Sequence, residues 1–550
     1  MKRIGILLFT LLSFGVAFAA DLPDNVYFRA MKDEMQRSLE QLRLEDHPAP
    51  YYISYWLTHT YDVEIEASLG ALVPSLYNAQ DDGYMEATVF VSVGSDQQDS
   101  LGFVDTEWGY RRAEWGLGLF NAQTFLGYGT LRQRLWWLTD RAYLQAANLY
   151  QQKQNYKQKK NILSSLPDVV PSPSAQFVEK ITPWTQPDIK GIQETVRQIS
   201  ALGKELPFVE NFTANLLFKR EDRYFLNSRG SFGQYIVPWQ RMKLRVTFRQ
   251  SDGKTSSMNY TFWLKDDSPA EMARARQEAQ NLLARVRQAY AAPDGEAYVG
   301  PVLLKPRAAA AFLEESILRD LGKSKPLLLA YADEDKGAGK WYKKRHVRAS
   351  TSLLTLYDRP LQRTFEGVSL ARFFPLDDEG VAAENLTLVK DGYIQDLPLT
   401  QRPLLASHRS NGHAYIASQY GPREGLTNVF VEPKLIWTDQ QMEEKLLSRC
   451  RELNLPYGYI LHDDSPSGDL GIERIYTADG RKETVLNLKW DGNFASPRDL
   501  RNVLAVGGKS ELVSNFSDKV IITPSILLQE AELVPQEHKP HRKPFLARPK

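Results

Sequence analysis

Cysteine is nearly absent: the 550 residues contain one, Cys450. A single thiol excludes an internal disulfide framework and, by count, any metal centre that needs two or more cysteines. In LLSRCREL it sits in a helical apolar pattern with no histidine beside it, so a buried helix residue is favoured over a nucleophile. Histidine is scarce too, with eight in all, and no pair has the i, i+4 spacing of a zinc helix. HExxH, GxSxG, a P-loop and the Rossmann glycine fingerprint are all missing. NSRGSF and AVGGKS supply glycine and serine, but not the strand, glycine-rich turn and helix that cradle a phosphate. Neither sign of charge is in excess. The net charge of +1 gives no global field for nucleic acid. Past residue 20, no apolar run is long enough to span a bilayer.

What is present begins with a leader. Lys2 and Arg3 precede an apolar stretch from Ile4 to Val16, and Ala17-Phe18-Ala19 fits the small-x-small cleavage rule. Residues 1–20 are expected to be a cleaved signal peptide, and the mature chain to be exported to the periplasm or the extracellular space. No cysteine follows the apolar stretch, which excludes lipid attachment there.

The remainder mixes two periodicities. Val26, Phe28, Met31, Met35, Leu39 and Leu42 predict a helix over 25–46. YYISYWLTHTYDVEIEASLGALV and YMEATVFVSVGS alternate as strands do, and His59 is expected to pack among their aromatics. A second helix is predicted over 131–165, with QQKQNYKQKK as its solvated basic end. Strands follow at 211–232, 239–254 and 256–267, with SDGK as a hairpin turn, and then a charged helix over 268–290. AAPDGEAYVG (291–300) is the best domain boundary. Beyond it strands dominate, with helices only at 306–321, 438–453 and 496–503. The expected class is α+β. Residues 21–295 form a sheet-plus-helices domain, 296–535 a mostly antiparallel, barrel-like β domain, and 536–550 a basic, proline-rich tail.

Five segments carry a resemblance. They are PVLLKPRAAAAFLEESI (301–317), DDEGVAAENLTLVKDGYIQDLPL (377–399), SHRSNGHAY (407–415), NVLAVGGKSE (502–511) and TPSILLQEAELV (523–534). In order and spacing they resemble the C-terminal half of the TldD/PmbA family, which includes a zinc peptidase and proteins described as modulators of DNA gyrase. In the catalytic branch the opening helix carries H-E-x-x-x-H, whose imidazoles bind zinc and whose glutamate is the general base. The matching positions here are Glu314-Glu315-Ser316-Ile317-Leu318-Arg319, closer to the branch that lacks the motif. A carboxylate at 314 can bind a metal. Arg319 cannot, because a guanidinium has no lone pair to give. Glu315 and Arg319 are expected to pair on the solvent face, with Ala310, Leu313, Ile317 and Leu321 lining the opposite side. The family's late cysteine ligand has no counterpart.

A replacement metal site would have to draw on His408, His413, His462 and Asp463, all in C-terminal loops. Asp377, Asp378 and Glu379 are expected to form a solvated turn or a structural cap. Asn411-Gly412-His413 matches a family loop beside the substrate groove and supplies the candidate peptide contacts, although Asn-Gly also suits a plain turn.

The resemblance thus implies an exported metallopeptidase homologue without its own zinc site and with no other cofactor. It would bind extended peptides or unfolded segments by strand addition, or serve as the non-catalytic half of a complex with a homologous subunit. Two alternatives remain at this point: an active metallopeptidase with a rearranged zinc site and Glu315 as base, and a structural scaffold of the cell envelope.

Overall fold

The computed structural model describes residues 22–74, 78–79, 83–104, 127–163, 166–323, 328–329, 339–341, 344, 346–404, 408–416, 422–462, 471–490, 495, 498–513 and 519–536. The leader, Asp463 and the tail from 537 onward lie outside them.

The N-terminal part is built on long antiparallel strands. Pro50–Ser68 pairs with Tyr84–Val93 on one side and Val209–Asn227 on the other, and Phe232–Arg249 and Thr255–Trp263 follow in turn. Strand alternation divides the side chains between two faces. One face carries Ile53, Tyr55, Leu57, Val63, Ile65 and Ala67, and all four long helices pack against it. Val26–Gln41 and Tyr128–Lys159 cover one end; Ile189–Ala201 and Pro269–Ala289 cover the other. The caps follow sequence. Asn25 accepts from the backbone of Tyr27 and Phe28, and Ser268 precedes Pro269 and accepts from Glu271. His59 is buried against Tyr61, with ring centroids 4.3 Å apart.

Lys153 departs from the solvated helix end expected for its segment. It is buried, and its ammonium donates to the carbonyls of Asp99 at 2.7 Å and Leu101 at 2.6 Å, and to Asp168 at 2.9 Å. Three acceptors match its three donors, which is what lets a lysine stay inside.

Among the described residues the C-terminal sheet has 11 strands and is centred on Val520–Pro535, which pairs antiparallel with Tyr298–Leu304 and Val503–Val513 and parallel with Asn428–Pro433. Tyr298–Leu304 also pairs parallel with Tyr457–Leu461. Alternate residues again choose sides. Val302, Leu304, Tyr459, Ile526 and Leu528 face the helix that starts at Pro306. Leu303, Ile460 and Leu527 face Met442, Leu446 and Cys450 of the Asp439–Glu452 helix. A sheet with a helix on each face needs no closure to bury its apolar surface. Among the described residues the strand path is open, running from Tyr393–Ile394 to Lys482–Val485. The α+β class therefore holds, and the barrel-like part of the expectation gives way to an open, covered sheet. Of the helix expected over 496–503, the described residues 498–503 contain a short turn, Asp499–Arg501. Among the described residues, no helix is long and apolar enough to cross a membrane.

The second face of the N-terminal sheet has two fates. At one end Trp56, Phe225, Tyr235 and Val237 are covered by Phe373 and Leu376 of the C-terminal part. At the other end the face stays polar.

Candidate functional site

Pro306–Leu313 runs straight off the first C-terminal strand and is buried at every residue. Proline at its first turn starts the helix, and Ala308–Ala311 let it lie close on the sheet. It then passes through a π-turn, Glu314–Leu318, in which the Arg319 N–H donates to the Glu314 carbonyl. Such turns are rare and recur at functional sites. In a regular α-helix, residues five apart point about 140° from each other. A π-turn reduces that angle, so this backbone keeps the shape that an i, i+5 ligand pair needs.

The side chains do not use it. Glu314 is buried, and its Oε1 accepts from Lys519 Nζ at 2.9 Å; Oε2 has no hydrogen-bond partner. Lys519 is buried too, at the entry to the last strand. Glu315 instead turns outward and pairs with Arg319, which is about half exposed. Ala310, Leu313, Ile317 and Leu321 lie in the core. These positions do not fit a zinc ion: one carboxylate is held by an ammonium, the other by a guanidinium, and neither cation has a lone pair.

The other ligand candidates stay apart. His408 Nε2 lies 2.6 Å from the Thr400 carbonyl, and its Nδ1 accepts from the Leu404 N–H at 3.3 Å. His462 Nε2 lies 2.8 Å from Glu473, whose carboxyl is held below its usual range by that hydrogen bond. His413 is buried elsewhere. Among the described residues, no three His, Cys, Asp or Glu are grouped as a metal would require. Cys450 is buried in its helix, and burial pushes its thiol up to about 11, which leaves it protonated and inert at neutral pH.

The acidic turn and the Asn-Gly-His loop do come together, at the junction of the two parts. The turn is not solvated. Asp377 accepts from the backbone N–H groups of Glu379 at 3.0 Å, Val381 at 2.9 Å and Ala414 at 3.0 Å. Asp378 accepts from Ile416 at 2.6 Å, and Glu379 from Gln401 at 2.7 Å. The carboxylates thus act as caps for a loop with no regular partner. The carbonyls of Asp378 and Glu379 accept from Trp56, Tyr52 and Asn227 of the N-terminal sheet. Burial raises the carboxyls of Asp377 and Glu379. The rise is firmer for Glu379, which has one backbone donor and Asp377 as a neighbour, while Asp377 has three donors.

Asn411 joins two segments: its Oδ1 accepts from Leu399 and its Nδ2 donates to Leu397. Gly412 has φ +71°, and a Cβ there would lie 2.3 Å from the Ala382 carbonyl oxygen. Only glycine meets both demands. His413 Nδ1 lies 3.0 Å from the Asn411 carbonyl, which places its proton there, and Nε2 lies 3.5 Å from Asp358. Burial lowers the His413 imidazole and raises Asp358, whose carboxylate accepts from the N–H and hydroxyl of Thr427.

Between these loops and the sheet lies a cleft of about 400 Å³. Trp56 and Tyr235 form its floor; Phe374, Asp378, His413 and Tyr415 line the opposite side. Glu221 borders it, and although burial would raise this carboxyl, Arg223 and Lys219 bring it down to about 2. A floor that sets Trp56 and Tyr235 among Thr58, Thr88, Glu221 and Arg223, with the exposed Tyr415 opposite, suits the side chains of an extended chain. Of the expected peptide contacts, His413 reaches this cleft, while Asn411 and Gly412 shape the loop that carries it. Lys519, Asp358, Trp56 and Tyr235 gave no motif signal, because their partners are far away in sequence. Asp358 left one trace, an acid ending the apolar strand LTLYD.

Residues 297–534 match the profile of the PmbA/TldA metallopeptidase C-terminal domain. Among solved structures, TldE from Thermococcus kodakarensis is similar over 92% of this chain and 100% of its own, with TM-score 0.58 and 15% identity. A candidate modulator of a DNA gyrase from Thermotoga maritima is similar over 88% and 96%, with TM-score 0.57 and 13% identity. A candidate modulator of DNA gyrase from Bacteroides thetaiotaomicron is similar over 92% and 98%, with TM-score 0.53 and 12% identity. No curated protein sequence matches the chain.

Proposed function

The chain belongs to the TldD/PmbA family through its C-terminal domain, and on that premise we propose that it is a peptide-binding member that has given up the zinc site. The observation that carries this reading is the Lys519 ammonium on Glu314, at the first ligand position of the family motif. An ammonium there neutralises the carboxylate and excludes a second cation by charge and volume. The π-turn and the cleft remain, so the scaffold for handling an extended chain outlasts the ligands. Strand addition needs backbone hydrogen bonds and side-chain pockets rather than a catalytic group. In this reading the protein acts after export past its leader, either alone or beside a homologous subunit that supplies the chemistry.

The test combines metal analysis with peptide binding. Purified protein is expected to hold far less than one zinc per chain, to bind a labelled extended peptide, and to lose that binding when Trp56 or Tyr415 becomes alanine. One zinc per chain, with peptide hydrolysis abolished by Glu315→Gln, overturns the reading in favour of an active metallopeptidase. Failure to bind any extended peptide favours an envelope scaffold. N-terminal sequencing of protein from periplasmic and culture fractions tests export; an intact leader on cytoplasmic protein overturns it.

A further inference from the structure

The polar end of the N-terminal sheet carries a row of three cations. On this face Phe232–Arg249 presents Arg241, Lys243 and Arg245 at alternate positions. Other cations on these strands have carboxylate partners: Lys219 with Glu221 at 2.9 Å, Arg220 with Asp222 at 2.6 Å, and Arg249 with Glu210. Among the described residues, Arg241, Lys243 and Arg245 have none. Arg241 Nε is also buried without a hydrogen-bond acceptor. Their cross-strand neighbours are neutral: Leu217, Asn215 and Thr213 on one side, Trp263, Thr261 and Asn259 on the other. The nearest acids on this face, Glu64 and Glu66, are bound by Asn215 Nδ2 at 3.0 and 3.1 Å, two strands away. At about 4.8 Å per strand they stand roughly 10 Å from the cation row. The three cations border a depression of about 440 Å³.

This row lies on the same face and the same strand as Tyr235 in the cleft. Six residues of strand separate Tyr235 from Arg241, about 20 Å at ~3.4 Å each, and Val237 and Trp239 between them are packed under Phe373 and Leu370, so a chain that reaches both has to pass beside them. The alternate cations repeat at about 6.8 Å, as alternate side chains of an extended peptide do.

We propose that this face binds an acidic stretch of the extended peptide that enters the cleft, with carboxylates at alternate positions and a spacer that passes beside the covered Val237 and Trp239. The proposal rests on the peptide-binding reading and adds its specificity. A carboxylate over Lys243 has hydroxyl donors on the flanking strands, from Thr213 and Thr261. Glu64 and Glu66 fix the lane: they repel an anion on their side and hold it to the cation row. The same two acids disfavour a duplex nucleic acid, which would cover both rows at once.

The test uses the full mature protein and two labelled 14-residue peptides of the same apolar sequence, one with three alternate glutamates at one end and one with three glutamines. Fluorescence anisotropy is expected to show about tenfold tighter binding of the acidic peptide, falling to parity in Arg241→Gln/Lys243→Gln/Arg245→Gln and in 0.5 M salt. Equal affinities in the unmodified protein, or a preference that survives the triple substitution, overturn the proposal. So does tighter binding of single-stranded DNA of equal charge, or self-association that the triple substitution abolishes. Tyr415→Ala separates the two claims: it should weaken both peptides equally and leave their ratio intact. If it leaves the neutral peptide unaffected, the cleft reading fails, and the ratio alone decides this one.

Discussion

Replacing Lys519 by methionine should destabilise the motif helix far more than its modest volume change suggests. Both side chains of the Glu314–Lys519 pair are less than a tenth exposed, and the nitrogen lies 2.9 Å from Glu314 Oε1. Glu314 Oε2 already lacks a partner, so the ammonium is the main compensation for that carboxylate. Removing one member of a buried pair typically costs ~3–5 kcal/mol, because the other charge is left uncompensated. Replacing both members by methionine removes the charge together with its partner, and the cost should fall to about 1 kcal/mol. With ~3–5 kcal/mol for either single replacement, the coupling in the double-mutant cycle is therefore about 5–9 kcal/mol. Global denaturation reports the whole chain rather than this one helix. Hydrogen exchange of the amides in Pro306–Leu321 is the direct assay. A loss of ~3 kcal/mol accelerates exchange by about a hundredfold, since 1.4 kcal/mol is tenfold. The reasoning is refuted if Lys519→Met changes exchange less than threefold, or if Glu314→Met/Lys519→Met is as damaging as the two single changes summed. Zinc that restores protection to Lys519→Met would show that the position is a metal site after all.

Three further outcomes follow from the geometry. Arg319→Ala removes only an exposed i, i+4 pair and should cost less than about 0.5 kcal/mol, within error in the same exchange assay. Gly412→Ala forces a side chain onto a left-handed residue 2.3 Å from a carbonyl oxygen and should cost about 2–4 kcal/mol, seen as lower melting temperature and loss of peptide binding. Glu379→Gln tests the buried carboxyl. Its folded value lies above the unfolded value near 4.5, so the folded state keeps a proton that the unfolded chain has released. Native stability therefore falls as pH rises above about 4.5 toward the raised folded value. The glutamine variant has no such proton, so its melting temperature should match the wild type near pH 4.5 and exceed it increasingly as pH rises toward that raised folded value. A constant difference across that range contradicts the assignment.

The sequence alone determined which residues face inward along each element. Strand alternation in YYISYWLTHTYDVEIEAS and helical spacing in PRAAAAFLEESILRDL are local properties, and the face each side chain takes obeys them; packing on both sides then buries every residue of Pro306–Leu313 and of the strand segment 52–57. The outward turn of Glu315 toward Arg319 is local in the same sense, because four residues of helix bring the two together. Tertiary structure decided the rest. The acidic run 377–379 reads as a solvated turn or a structural cap, and it is a buried cap because the N-terminal sheet supplies Tyr52, Trp56 and Asn227 as donors to its backbone. Lys153 reads as a solvated helix end, and it is buried because loops around Asp99 and Asp168 offer three oxygens. Open edges and closed barrels have the same alternation, so only the pairing order showed the C-terminal sheet to be open among the described residues. The fate of Glu314 was least legible of all. Its sequence neighbours leave it as a metal ligand or a surface acid, and Lys519, 205 residues away, makes it neither. A charge inside a protein is governed by what folding brings within about 3 Å of it, and no local pattern encodes that distance.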